Sequence, residues 1–168
     1  MNLNPFTWSY RTQCLVGGIG SFALIGFAVF TQLFGGQEPC PLCIFQRVAY
    51  AGVGVVLLVA GLHAPRGMGM RTLYGVLALL AAIAGIGIAG RHVWLQHLPP
   101  DQVPMCGPGL EYMLEALPIG GVIRKVLTGS GECAKVDWTL LGLSMPEWSL
   151  LCFVLLAVWV LVVTFRRR

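Results

Sequence analysis

The sequence predicts an all-α membrane protein: a four-transmembrane-helix bundle, with residues 1–168 as one domain and a long loop on the non-cytoplasmic side that carries short amphipathic helices. Three observations predict it. The chain is 57% hydrophobic and only 11% charged, whereas soluble domains carry about 25% charged residues. Four stretches, about 12–34, 48–65, 72–90 and 149–165, lack Asp, Glu, Lys and Arg. Each is near the roughly 20 apolar residues that cross a bilayer. Finally, basic residues are distributed unevenly among the connections, as they are in membrane proteins of fixed orientation.

The first stretch is preceded by Arg11, as a signal peptide would be. Its apolar run exceeds the 7–15 residues of a signal core, and no A-x-A site lies near Gly35 and Gly36, so a retained span is predicted. Four spans put both termini and the 66–71 turn on one side. That side holds Arg11, Arg66, Arg71, Arg166, Arg167 and Arg168 and no acid. The opposite loops, about 35–47 and 91–148, hold Arg47, Arg91, Arg124, Lys125, Lys135 and all seven acids. The purely basic side is therefore expected to be cytoplasmic. Trp8, Tyr10, Trp94 and Trp148 fall where interfacial aromatic anchors are expected. The small net charge of +4 gives no reason to expect a nucleic-acid partner.

In the third span, Gly85-Ile86-Gly87-Ile88-Ala89-Gly90 matches G-x-G-x-x-G. A dinucleotide site requires a preceding strand and a helix opening at the glycines, and an apolar span offers neither. Ala81, Gly85 and Ala89 instead suggest a small-xxx-small face for close helix packing. In the long loop, Leu110, Met113, Leu114 and Leu117 recur at helical spacing, and Ile119, Val122, Ile123, Val126 and Leu127 repeat the pattern after Pro118. Two short amphipathic helices follow, lying on the membrane surface or packed on the bundle. Gly129-Ser130-Gly131 reads as a flexible stretch before Cys133.

Of six cysteines, Cys14 and Cys152 lie within spans and read as small buried hydrophobes. Cys40, Cys43, Cys106 and Cys133 all lie on the outer side, where disulfides persist. They allow a structural framework, a zinc site or a disulfide-exchange centre. Zinc fits poorly, since Cys106 and Cys133 do not form a short pair; no metal is expected. A disulfide within C-x-x-C closes too small a loop to stabilise much. It is, however, a recurring redox geometry. Pro41 suits the first position of a helix, which puts Cys43 in the first turn, where the helix dipole favours a thiolate. Arg47, four residues on, shares that face. It can either stabilise an anion there or extend to lipid headgroups.

Cys40-Pro41-Leu42-Cys43 with Gln46-Arg47, Arg91-His92, Gly129-Ser130-Gly131-Glu132-Cys133-Ala134 and Leu141-Gly142-Leu143-Ser144-Met145-Pro146-Glu147-Trp148 together resemble the disulfide bond formation protein B (DsbB) family over almost the whole chain. The resemblance implies a multi-pass protein of the bacterial inner membrane, with cytoplasmic termini and periplasmic redox cysteines. It implies a quinone-dependent thiol:disulfide oxidoreductase that reoxidises a periplasmic thioredoxin-fold oxidase, DsbA, and passes the electrons through two cysteine pairs to ubiquinone or menaquinone. Carried over, Cys106 resembles the residue that the partner attacks. Cys133 would then leave as a thiolate and close on Cys40, freeing Cys43 beside the quinone. Arg47 and His92 resemble the quinone-site residues. The adjacent Gly120 and Gly121 depart from the pattern and weaken the second loop helix.

Two other readings compete with this one. A vitamin K epoxide reductase-type enzyme also combines helices, C-x-x-C and quinone, but carries its motif near the chain end rather than after the first span. A non-enzymatic scaffold would hold four structural cysteines or a metal. A bound quinone with a thiolate charge-transfer band would separate the enzyme from the scaffold. The orientation is tested more simply. A periplasm-dependent reporter fused after Gln102 is expected to be active and one fused after Gly67 inactive; the reverse would overturn the orientation drawn from charge.

Overall fold

The structure is a computed structural model that describes residues 8–36, 39–99, 101–105, 110–136 and 138–165. Four long helices carry it: α1 (Tyr10–Gly35), α2 (Pro41–His63), α3 (Met68–Gln96) and α6 (Met145–Phe165). All four are long and apolar enough to cross a membrane. The shortest, with 21 residues, extends about 32 Å at 1.5 Å per residue, against a hydrocarbon core of about 30 Å. Between α3 and α6 lie α4 (Leu110–Ala116), α5 (Ile119–Thr128), a 3-10 turn at Gly131–Ala134, and the two-residue strands β1 (Thr139–Leu140) and β2 (Leu143–Ser144).

The helices outrun the charge-free stretches. The second begins at Pro41 rather than 48, and the third continues to Gln96 rather than 90. Arg47 and Arg91 end the charge-free stretches but not the helices, because arginine is a good helix former and each guanidinium finds carbonyl acceptors nearby. The short 36–40 link therefore places Cys40 as the N-cap of α2 and Pro41 in its first turn. Ser9 caps α1, its hydroxyl accepting from the Thr12 amide at 3.2 Å. At the start of α6, Glu147 reaches back to the Ser144 amide, half of a capping box. The lead-in to that helix contains a small hairpin, Thr139–Leu140 against Leu143–Ser144. Leu141 and Gly142 are both at positive φ there, as a two-residue turn of matching twist requires.

Packing runs α1 on α2, α2 on α3 and α3 on α6. Large apolar side chains such as Ile19, Leu62, Leu80 and Leu155 point outward and are exposed, while small ones line the contacts. This is the pattern of helices that associate in lipid by close van der Waals approach. The buried line on α3 runs Gly75, Ala78, Ala82, Gly85, Ala89 and His92. Gly85 and Ala89 belong to it, but Ala81 turns toward Gly52 of α2 instead. A β-carbon on Gly85 would collide with the Phe153 ring of α6, and one on Gly75 with Thr164. Tyr50 of α2 stacks on the other side of this core against Phe153, ring centroids 3.9 Å apart.

Both loop helices form, α5 despite Gly120 and Gly121. Their apolar residues divide. Met113, Val122 and Val126 are buried against Cys40, Leu42, Leu95 and Cys133, whereas Leu114, Ile119, Ile123 and Leu127 remain exposed.

The glycine contacts make a paired prediction. Gly85→Leu is expected to destabilise the bundle by about 1–3 kcal/mol through overpacking. Gly87→Ala, whose β-carbon meets nothing within 4 Å, should cost nothing. Unfolding in mixed detergent micelles, followed by tryptophan fluorescence, measures both.

Candidate functional site

Three sulfurs meet at the N-terminus of α2. The Cys40 Sγ lies 3.3 Å from that of Cys43, the separation expected of residues one helical turn apart at a cap. On its other side it shares a buried cluster with Cys133. Cys40 therefore stands between two partners. Cys133 is fully buried in the 3-10 turn and Cys40 nearly so, and the described cysteines are all free thiols. Cys106 lies outside the described residues. Its neighbour Met105 accepts from the Gly131 amide at 3.4 Å, two residues before Cys133.

The turn that carries Cys133 is held firmly. Arg91 of α3 donates to the Leu127 and Thr128 carbonyls, at 3.1 and 2.8 Å, neutralising the end of α5 where unpaired carbonyls gather. Its guanidinium also covers the Trp94 ring at 4.1 Å. Gly129 follows at φ 84°, and a β-carbon there would strike Leu95. The glycines expected to give flexibility thus permit close packing at this point, and Gly131 is buried.

The Cys133 thiol is held down at about 6, chiefly by the hydrogen bond it accepts from Cys40, against the upward push of burial; Ser130 and backbone amides assist. Cys40 is pushed up because its proton serves both neighbouring sulfurs and it is buried. A thiolate on Cys133 with the proton kept on Cys40 follows, and the thiolate is the nucleophile in exchange.

His92 is buried against the sulfurs. Its Nε2 lies 3.8 Å from the Cys40 Sγ, and its Nδ1 lies 3.1 Å from the Gln46 amide nitrogen. It faces the cysteine pair and is not in the wall of the adjoining cavity. Arg47 is in that wall. Its guanidinium turns to α1, donating to Gln32 Oε1 at 2.7 Å and to the Ala28 carbonyl at 3.1 Å.

That cavity, of about 260 Å³, opens between α1, α2 and α6. Its wall is mostly apolar, with Leu24, Phe27, Trp138 and Met145 among its residues, and it also includes Cys43, Gln46 and Arg47. Tyr50 forms part of the floor, its hydroxyl donating to the Ser149 carbonyl at 3.0 Å. Cys152 is also on this wall, whereas Cys14 is buried in the bundle core. A second cavity, of about 420 Å³, lies on the far side of the sulfur row, against Cys133, Pro41, Met105 and Lys125. No motif or spacing in the sequence singles out Tyr50 or Ser149. For Gln32 the available signal is a polar amide near the outer end of the first span.

The family model described as "Disulfide bond formation protein DsbB" matches residues 10–163. The disulfide bond formation protein B of Xanthomonas campestris pv. campestris is 49% identical over 166 residues, covering 99% of this chain and 96% of that protein. That of Acinetobacter baumannii is 52% identical over 158 residues, 94% and 92% of the two chains. That of Methylococcus capsulatus is 51% identical over 145 residues, 86% and 88%.

The hydrogen bond from Cys40 sets a testable titration. In a chain with Cys43 and Cys106 replaced by serine, Cys133 is expected to titrate near 6. Adding Cys40→Ala removes the donor and should move the midpoint up toward the roughly 8.5 of a free thiol. Thiolate absorbance against pH reads the shift.

Proposed function

The chain belongs to the disulfide bond formation protein B family, and on that premise we propose that it reoxidises a periplasmic thioredoxin-fold dithiol oxidase of the DsbA kind and delivers the electrons to a membrane quinone. Membership makes it an oxidoreductase of disulfide formation. The finer reading is carried by one observation: a row of sulfurs, Cys133, Cys40 and Cys43, runs from one cavity to another of different character.

In this reading the cysteines face the periplasm and the termini the cytoplasm. The partner's thiolate attacks Cys106 in a Cys106–Cys133 disulfide, and Cys133 leaves as a thiolate. The low proton affinity of Cys133 suits a leaving group, since thiols of lower pKa leave faster. Cys133 then attacks Cys40 in a Cys40–Cys43 disulfide, and Cys43 leaves into the wall of the apolar cavity. Each step breaks one S–S bond and forms another; the partner's second thiol then displaces Cys106 from the mixed disulfide, so the partner gains a disulfide and this chain keeps a Cys40–Cys133 disulfide with Cys43 and Cys106 as thiols, one pair of reducing equivalents.

The cavity fits a quinone: it is mostly apolar, and its wall includes the Cys43 thiol and the Arg47 guanidinium. When bound there, a quinone supplies an acceptor for two electrons and two protons. Arg47, fixed by Gln32 and Ala28, orients that acceptor and favours negative charge beside Cys43. His92, which the resemblance assigns to the quinone site, lies against the cysteine pair just behind the lining of this cavity. Cys40 to Cys43 transfer needs no large motion.

The test mixes purified protein with the reduced partner and a soluble quinone and follows quinone reduction. Turnover is expected in the wild type, and Arg47→Ala should raise the apparent KM for quinone at least tenfold with the disulfides still able to form. Absence of quinone reduction by the wild type, or unchanged quinone kinetics in the variant, would count against the assignment.

A further inference from the structure

We propose that the reduced protein carries a binding site for one thiophilic divalent cation, zinc being the natural example, formed by Cys40, Cys43 and His92. Cysteine spacing disfavours a structural zinc on four cysteines, but the fold brings in a histidine from α3 and so creates a different ligand set. The two Sγ atoms and a ring nitrogen of His92 all lie within 4.8 Å of one another. The sulfurs are 3.3 Å apart, and Cys40 Sγ is 3.8 Å from Nε2. A tetrahedral zinc with bonds of about 2.3 Å to sulfur and 2.0–2.1 Å to nitrogen separates two sulfurs by about 3.8 Å and sulfur from nitrogen by about 3.5 Å. Modest side-chain adjustment closes the difference.

The surroundings also suit a metal. Gln46 holds Nδ1 of His92 at 3.1 Å. With its amide oxygen turned inward it accepts the Nδ1 proton and leaves the Nε2 lone pair facing the sulfurs. This is the kind of outer partner that orients metal-bound histidines. Cys40 and His92 are buried, and a pair of bare thiolates in such surroundings is costly. A divalent cation cancels both charges. Thiolate and imidazole together favour zinc and its soft relatives over calcium or magnesium. Three protein ligands leave a fourth position for solvent.

On binding, Cys40 and Cys43 release their protons to solvent and each sulfur shares an electron pair with the metal. No electrons are transferred, and oxidation of the pair to a disulfide abolishes the site. A cation held here withdraws the dithiol from exchange whenever it stays reduced. That effect on turnover rests on the proposed function, whereas the site itself requires only the reduced thiols, so the test reads metal directly.

Full-length protein in detergent is reduced, freed of reductant and titrated with zinc against a chromophoric chelator. One equivalent per chain is expected for the reduced protein, with affinity at least 100-fold weaker after oxidation. His92→Ala is expected to weaken binding at least tenfold, and Gln46→Leu by about 10–100-fold. His97→Ala, at an exposed histidine, should leave it unchanged. In the wild type, zinc should protect both Cys40 and Cys43 from alkylation, a readout that does not depend on any variant folding. Equal binding by the oxidised protein, wild-type affinity in His92→Ala, or unprotected Cys40 and Cys43 would overturn the site.

Discussion

Cys40 stands between two other sulfurs, Cys43 and Cys133, and much of one end of the bundle is packed around it. As N-cap it stands outside the helix that carries Cys43, yet Pro41 fixes the turn that brings the two together. Cys133 arrives from a distant part of the chain. Its position depends on α5 burying Val122 and Val126 beside Leu42 and Leu95, and on Arg91 holding the carbonyl end of that helix. Loss of either would leave Cys40–Cys43 intact but disconnected.

The membrane-embedded part of the bundle solves a different problem. Where lipid surrounds the helices, apolar burial provides no drive to associate, so contact quality decides. Gly75 against Thr164 and Gly85 against Phe153 let α3 and α6 approach closely. That contact fixes Phe153, on which Tyr50 stacks, and Tyr50 in turn forms the cavity floor. Helix packing and cavity shape are thus linked through one aromatic pair.

The helical spans were legible because charge-free apolar runs of this length are rare in chains that fold in water. Their ends were less so: Arg47 and Arg91 look like boundaries in sequence, and their acceptors, Ala28 and Leu127, are residues whose carbonyls no pattern advertises. The Cys40–Cys43 geometry at a helix start followed from local rules for proline and capping. The approach of Cys133 and His92 did not, because contacts across dozens of residues depend on how α3 and α5 pack. Gly129 shows the same limit. Its neighbours suggested freedom, while its contact with Leu95 reveals crowding.

Burial of the sulfur row has an implication for fidelity. In the proposed exchange path, a sulfur open to dissolved thiols would lose its disulfide to side reactions. Here Cys133 is 1% exposed and Cys40 9%, so little of either sulfur faces a small dissolved thiol, and Cys133 is approached through the second cavity. The proposed path would therefore be entered chiefly at its ends, by way of the two cavities. Insulation of this kind selects for donors large enough to engage the protein surface, and it does so by access rather than by redox potential.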